Sequence, residues 1–220
     1  MALITPWNHP LLITIKKLAP ALAAGNSLIL KPSEKAPLSV SYLVSDILHN
    51  AGIPKGTVQV LLGDAETAQS IVHDDRVKRI DFTGGTNTGR ILAEIAGRRL
   101  VPITAELGGK TAVLVCEDCL INEAVEGVLA AGFIASGQTC VTGSRVIVQE
   151  RIYERFVERL VKRTGELKVG RPWEVDTQIG AVIDRDAVER CQWFVEMARK
   201  ERAKVLVGGE PVKVDGRVVS

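Results

Sequence analysis

The sequence predicts an α/β fold built on a parallel sheet, and three observations predict it. Short apolar runs alternate with longer segments of helical periodicity, the pattern of βαβ units with helices on the faces of a sheet. Glycines close those helices or stand between strand and helix, as right-handed crossovers with tight turns require. The 220 residues, 46% apolar and 25% charged, suffice for one or two buried cores and exclude a disordered chain.

Taken in order, Leu11 to Ala24 reads as an apolar helix ended by Gly25, with Pro20 a kink or break. Ser27 to Leu30 reads as a buried strand. Val40, Leu43, Val44, Ile47 and Leu48 then recur at helical spacing from Leu38 until Gly52 and Pro54 stop them. Val58 to Leu62 is the next strand, Thr67 to Val72 a short helix, Val77 to Phe82 a third strand, and Asn87 to Ala96 a helix closed by Gly97. The second half repeats the theme less regularly. A strand over Thr111 to Val115 precedes a helix from Ile121 to Ala135, and Arg145 to Val148 is a strand. Tyr153, Phe156, Val157, Leu160 and Val161 form one face of an amphipathic helix, followed by a helix over Asp184 to Lys200 and a strand over Ala203 to Val207. The best boundary lies near residue 107, giving portions 1–107 and 108–220.

Charge names no partner. The 28 basic and 26 acidic residues leave a net +2 spread along the chain, without the basic footprint that nucleic acid or an anionic membrane demands. No apolar run reaches the roughly 18 residues that span a bilayer, and no secretory leader is read at Met1 to Ile15. The four cysteines form no disulfide framework, so a reducing, cytoplasmic setting is expected. Cys116 and Cys119 spell CxxC at a strand end with no second pair, and His9, His49 and His73 are scattered, so no metal is expected.

Several short segments could carry chemistry. Phe82-Thr83-Gly84-Gly85-Thr86-Asn87-Thr88-Gly89 joins a strand to a helix, where backbone N–H groups can face a dinucleotide phosphate, although such a turn is often only a turn. Lys31-Pro32-Ser33-Glu34 ends another strand with a cation and a carboxylate. Pro6-Trp7-Asn8 presents an amide behind a proline-fixed turn. Glu106-Leu107-Gly108-Gly109-Lys110 offers a base, and Gly137-Gln138-Thr139-Cys140 a thiol in a small polar loop. Each has a bland alternative in a surface charge or a buried cysteine.

In order and spacing, these five motifs together resemble the aldehyde dehydrogenase superfamily, from Ile4 to the end of the chain. The resemblance implies a Rossmann-like NAD-binding portion followed by an incomplete α/β catalytic portion. Within it, Cys140 corresponds to the nucleophile that forms a thiohemiacetal and then a thioester. Asn8 corresponds to the oxyanion donor, and Glu106 to the base that activates water against the thioester from a partly apolar setting. Lys31 and Glu34 would hold the adenosine ribose, with Ile4, Trp7 and Gly63 lining the cofactor. Gly84, Gly85, Thr86 and Gly89 would meet the pyrophosphate, and Leu107 would complete the site. The carboxylate of Glu34 favours NAD, with NADP possible. Gly85 stands where many relatives have serine, which removes a hydroxyl and keeps the backbone donors.

The resemblance implies an NAD(P)-dependent enzyme that oxidises a small-molecule aldehyde to the acid, without nucleic acid, membrane or metal. It implies a homo-oligomer for full-length members, an expectation not extended to this chain. It also implies truncation at both ends, since family members run about twice this length. The second reading is therefore an inactive remnant that acts at most as a binding or interaction protein.

Overall fold

The computed structural model describes residues 1–219 and divides into two compact units, Met1–Gly108 and Gly109–Ser220. The first unit alternates strictly. Its elements are β1 (Ala2–Thr5), α1 (Pro10–Ala23), β2 (Leu28–Pro32), α2 (Leu38–Asn50), β3 (Val58–Val60), α3 (Ala65–His73), β4 (Ile80–Gly84), α4 (Thr86–Arg99) and β5 (Ile103–Leu107). The five strands form one sheet in the order β3-β2-β1-β4-β5, every pair parallel.

The alternation of side chains along each strand builds two cores. On one face Leu3, Leu28 and Leu30 pack with Leu18 and Ala21 of α1 and Val40 and Val44 of α2. On the other, Ala2, Ile4, Ile80 and Phe82 pack with Ile71 and Val72 of α3 and Leu92 and Ala96 of α4. A fully buried side chain such as Leu3 or Leu30 contributes roughly 1.5–3 kcal/mol, so covering both faces is what makes an all-parallel sheet stable. Because all five strands run the same way, their carboxyl ends share one edge, where ligands of open α/β sheets bind.

The second unit contains β6 (Ala112–Val115), α5 (Ile121–Phe133), β7 (Arg145–Val148), α6 (Tyr153–Gly165), α7 (Arg185–Lys200), β8 (Lys213–Val214) and β9 (Arg217–Val218). Strands β6 and β7 pair in parallel. Val115 packs with Val125, Val128 and Leu129 of α5 and with Phe156 of α6, which is wholly buried.

The structure departs from the sequence reading in identifiable places. Helix α1 runs through Pro20 without a break. Pro20 and Lys16, the residue whose carbonyl it cannot bond, both lie on the exposed side, so the unpaired carbonyl is not sealed in the core. Helix α4 passes Gly97 and ends at Leu100, which adopts the left-handed conformation with φ 52°. Strand β4 is shifted to Ile80–Gly84, and Val77 is a buried plug in the preceding loop. Helix α5 stops at Phe133, two residues short of the expected end, because Ala135 and Ser136 have positive φ. Residues 203–207 form no strand: Val205, Leu206 and Val207 are all exposed and find no ladder partner among the described residues. The β8–β9 hairpin was not anticipated, yet Asp215-Gly216, with φ 51° and 76°, is the dipeptide that favours such a two-residue turn.

Candidate active site

The first unit gathers most of the expected site residues on its carboxyl edge. Strand β1 delivers Pro6-Trp7-Asn8 directly before α1, whose first residue is Pro10, a position at which a missing N–H costs nothing. The backbone N–H of His9 donates to Oδ1 of Asn8 at 3.1 Å, which fixes the amide plane and leaves Nδ2 as its donor atom. Ile4 is buried in β1 within the α3/α4 core, so its side chain is committed to packing and only its backbone is left to face a ligand.

Strand β2 carries Lys31, one residue before its end, opposite Ile4 in register. Lys31 is only 4% exposed, and its ammonium donates to Glu34 Oε2 at 3.1 Å. The hydrogen bond from its own backbone amide, with Lys31 adding to it, holds the Glu34 carboxyl below the usual carboxylate range against a smaller opposing effect of burial. Glu34 is thus a fixed anion beside a buried cation. Gly63 follows β3, and a Cβ there would run into the Thr67 hydroxyl at the start of α3.

Strand β4 ends in Gly84, and Gly85 stands at the N-cap of α4 with no side-chain cap, so the first N–H groups of that helix are offered to an external acceptor. A Cβ on Gly84 would collide with the Phe82 ring, and one on Gly89 would lie 2.5 Å from Leu107 Cδ2. Leu107 therefore packs against the first turns of α4. Register places Thr83 beside Glu106 and Gly84 beside Leu107. Glu106 is exposed on the edge strand β5, which corrects the expectation of a partly apolar setting: an edge strand has a neighbour on one side only.

Cys140 belongs to the second unit. After α5 the chain makes a left-handed turn through Ala135, Ser136 and Gly137, with φ 51°, 56° and 75°. Each non-glycine residue in that conformation costs about 1–2 kcal/mol. Side chains hold the turn in place: Ser136 Oγ donates to the Gly180 carbonyl at 3.0 Å, and Gln138 Oε1 accepts the Ile183 N–H at 2.8 Å. Thr139 to Thr142 then form a tight turn, with the Thr142 N–H on the Thr139 carbonyl at 3.2 Å and Thr142 Oγ1 donating to that carbonyl at 2.7 Å. Cys140 sits exposed at its apex. Gly143 closes the loop by donating to the Ala131 carbonyl at 2.9 Å. Sequence reasoning gave no role to Ser136, Thr142 or Gly143; the left-handed stretch that needs them has no letter pattern of its own.

Among the described residues, no group of three or more His, Cys, Asp or Glu side chains could hold a metal ion, and no helix is long and apolar enough to cross a membrane.

A family model described as the aldehyde dehydrogenase family matches residues 1–220. The 4-trimethylaminobutyraldehyde dehydrogenase of Pongo abelii is 42% identical over 207 residues, 94% of this chain and 42% of that protein. Its Homo sapiens counterpart is 41% identical with the same coverage. Among solved structures, the NAD+ complex of an aldehyde dehydrogenase from Bacillus cereus matches with a TM-score of 0.95 at 34% identity, covering 99% of this chain and 44% of its own. A betaine aldehyde dehydrogenase from Staphylococcus aureus in complex with NAD+ matches at 0.94 and 35% identity, covering 98% and 43%. The chain thus spans less than half the length of the curated relatives it matches. Because that family model matches residues 1–220, the chain belongs to the aldehyde dehydrogenase family.

Proposed function

We propose that this chain carries the cofactor-binding and nucleophile-bearing parts of an NAD-dependent aldehyde dehydrogenase that oxidises an aldehyde to its carboxylic acid. The observation that carries the reading is Cys140, exposed at the apex of a braced loop in a chain of this family.

The first unit fits a nicotinamide dinucleotide. Its uncapped α4 N-terminus suits a pyrophosphate, the ion-paired Glu34 suits ribose hydroxyls and repels a 2′-phosphate, and Gly63 lets the chain pass close to Thr67 at the start of α3. Bound there, the cofactor supplies the oxidising equivalent, taking two electrons from the substrate.

The residues of this chain do the remaining work. The Cys140 thiolate attacks the aldehyde carbon and forms a C–S bond. The negative charge moves to the carbonyl oxygen, which the Asn8 amide and the Cys140 backbone N–H receive, the kind of donor pair that stabilises a developing oxyanion. After oxidation the acyl group is held on Cys140 as a thioester. Glu106 takes a proton from water, the resulting hydroxide attacks the thioester, and the acid departs as the thiolate is regenerated. An acyl acceptor other than water, such as coenzyme A, is disfavoured by that carboxylate.

The relatives named for 4-trimethylaminobutyraldehyde and betaine aldehyde put quaternary ammonium aldehydes first among substrates to try. The test mixes purified protein with NAD+ and these aldehydes beside simple aliphatic ones, follows reduced nicotinamide by absorbance, and maps the acyl adduct by mass spectrometry. Turnover with an adduct at Cys140 is expected. Absence of both across the panel rejects the reading.

A further inference from the structure

The face of the first unit's sheet that packs on α1 is apolar toward the amino ends of the strands and polar toward their carboxyl ends. Thr14 and Lys17, three residues apart on one side of α1, face the sheet where Leu18 and Ala21 give way to polar groups. Thr14 Oγ1 donates to Thr5 Oγ1 at 3.2 Å in a buried contact. Lys17 Nζ forms an ion pair with Asp81 of β4, with side chains only 8% and 16% exposed. Asp81 lies opposite Leu3 in register and two residues before Thr83, itself 8% exposed. The proposed chemistry uses neither member of this pair.

A buried ion pair is a poor way to gain stability, because desolvating two charges offsets most of their attraction, but in some proteins it fixes the geometry of the elements it joins. Here that geometry joins α1 to β4, the strand leading to Gly84-Gly85. α1 begins two residues after Asn8, so fixing its first two turns fixes the direction from which the chain leaves the Pro6–His9 turn. Resting on the enzymatic reading given above, we propose that Lys17 and Asp81 are positioning residues whose ion pair holds the turn bearing Asn8 in its oxyanion-donating place.

The test separates positioning from stability with the apolar double variant Lys17→Met/Asp81→Leu, which removes both charges and keeps the volume. Its thermal midpoint should stay close to that of the parent protein. Hydrogen exchange at the Trp7, Asn8 and His9 amides should rise by about tenfold or more, while exchange in α3 is unchanged. Where the parent turns over aldehyde, kcat should fall roughly 10- to 100-fold, as misplacement of a catalytic group does, with the KM for NAD+ unchanged. A folded double variant with parental exchange at residues 7–9 overturns the proposal. If the double variant does not fold, Asp81→Asn decides: a rise confined to residues 7–9 supports it, and a rise spread through the unit or none at all overturns it. A parent without turnover would remove the enzymatic reading, yet the exchange measurement would still answer whether the pair holds the turn.

Discussion

Asn8 has its amide plane set by the His9 N–H on Oδ1, so the orientation of its donor is built into two adjacent residues. Asn8→Ala is expected to lower kcat about 10²- to 10³-fold, the usual loss for one oxyanion donor, while cofactor affinity measured by fluorescence titration stays at the parental value. Glu106 acts after oxidation in the proposed sequence. Glu106→Gln should therefore release about one equivalent of reduced cofactor in a burst and then turn over roughly 10²- to 10⁴-fold more slowly; rapid-mixing absorbance distinguishes this from a uniformly slowed enzyme. Glu34 is held below the ordinary carboxylate value of 4.5. A depressed carboxyl contributes above its ordinary pKa and loses that contribution as pH falls through the lowered one. Affinity for NAD+ is thus expected to be insensitive to Glu34 titration from neutrality down to that value and to weaken only below it. Glu34→Gln should weaken NAD+ binding roughly tenfold, the scale of one charged hydrogen bond, and narrow the preference over NADP+, read as the ratio of KM values.

At the scale of elements, close approach depends on absent side chains. Gly143 sits where an added Cβ would lie 2.7 Å from Val113 Cγ2 and 3.1 Å from Ala131 Cβ, and neither neighbour has a flexible end to move. Gly143→Ala should cost about 1–3 kcal/mol by overpacking, lower the thermal midpoint, and slow alkylation of Cys140, because the same residue ties the loop to α5 through the Ala131 carbonyl. Denaturation with timed iodoacetamide labelling checks both. The periodic elements were legible in the letters: Val40 and Val44 announce α2, and the glycines after β4 announce α4, because these signals lie within a few residues of one another. Boundaries were less legible. Gly97 looked like a stop, yet the chain turned left-handed at Leu100, a choice that follows from where Val101 must bond back to Ala96. Ala203 to Val207 had strand composition but found no strand to pair with among the described residues, and a ladder needs both sides.

At the scale of the molecule, the chain presents two compact units, each with its own core. The second exposes an apolar sheet face: Leu114 is 69% and Ile147 54% exposed on the side of β6 and β7 turned away from α5 and α6. Parallel strands seldom leave one face bare, so this patch should bind hydrophobic dye and promote self-association. Leu114→Thr with Ile147→Thr, which keeps strand propensity, is expected to reduce dye fluorescence and sedimentation of aggregates without lowering the thermal midpoint; unchanged dye binding would place the adhesive surface elsewhere. Five local motifs were enough to name the family from the sequence alone, because each is a run of adjacent residues whose order survives without coordinates. Only the tertiary structure decided that Lys17 is buried against Asp81, that Lys31 is sealed beside Glu34, and that Glu106 stands exposed on an edge strand. Burial and pairing of charges depend on residues far apart in the chain, and that distance is closed by the packing of helices on a sheet rather than by any neighbouring letter.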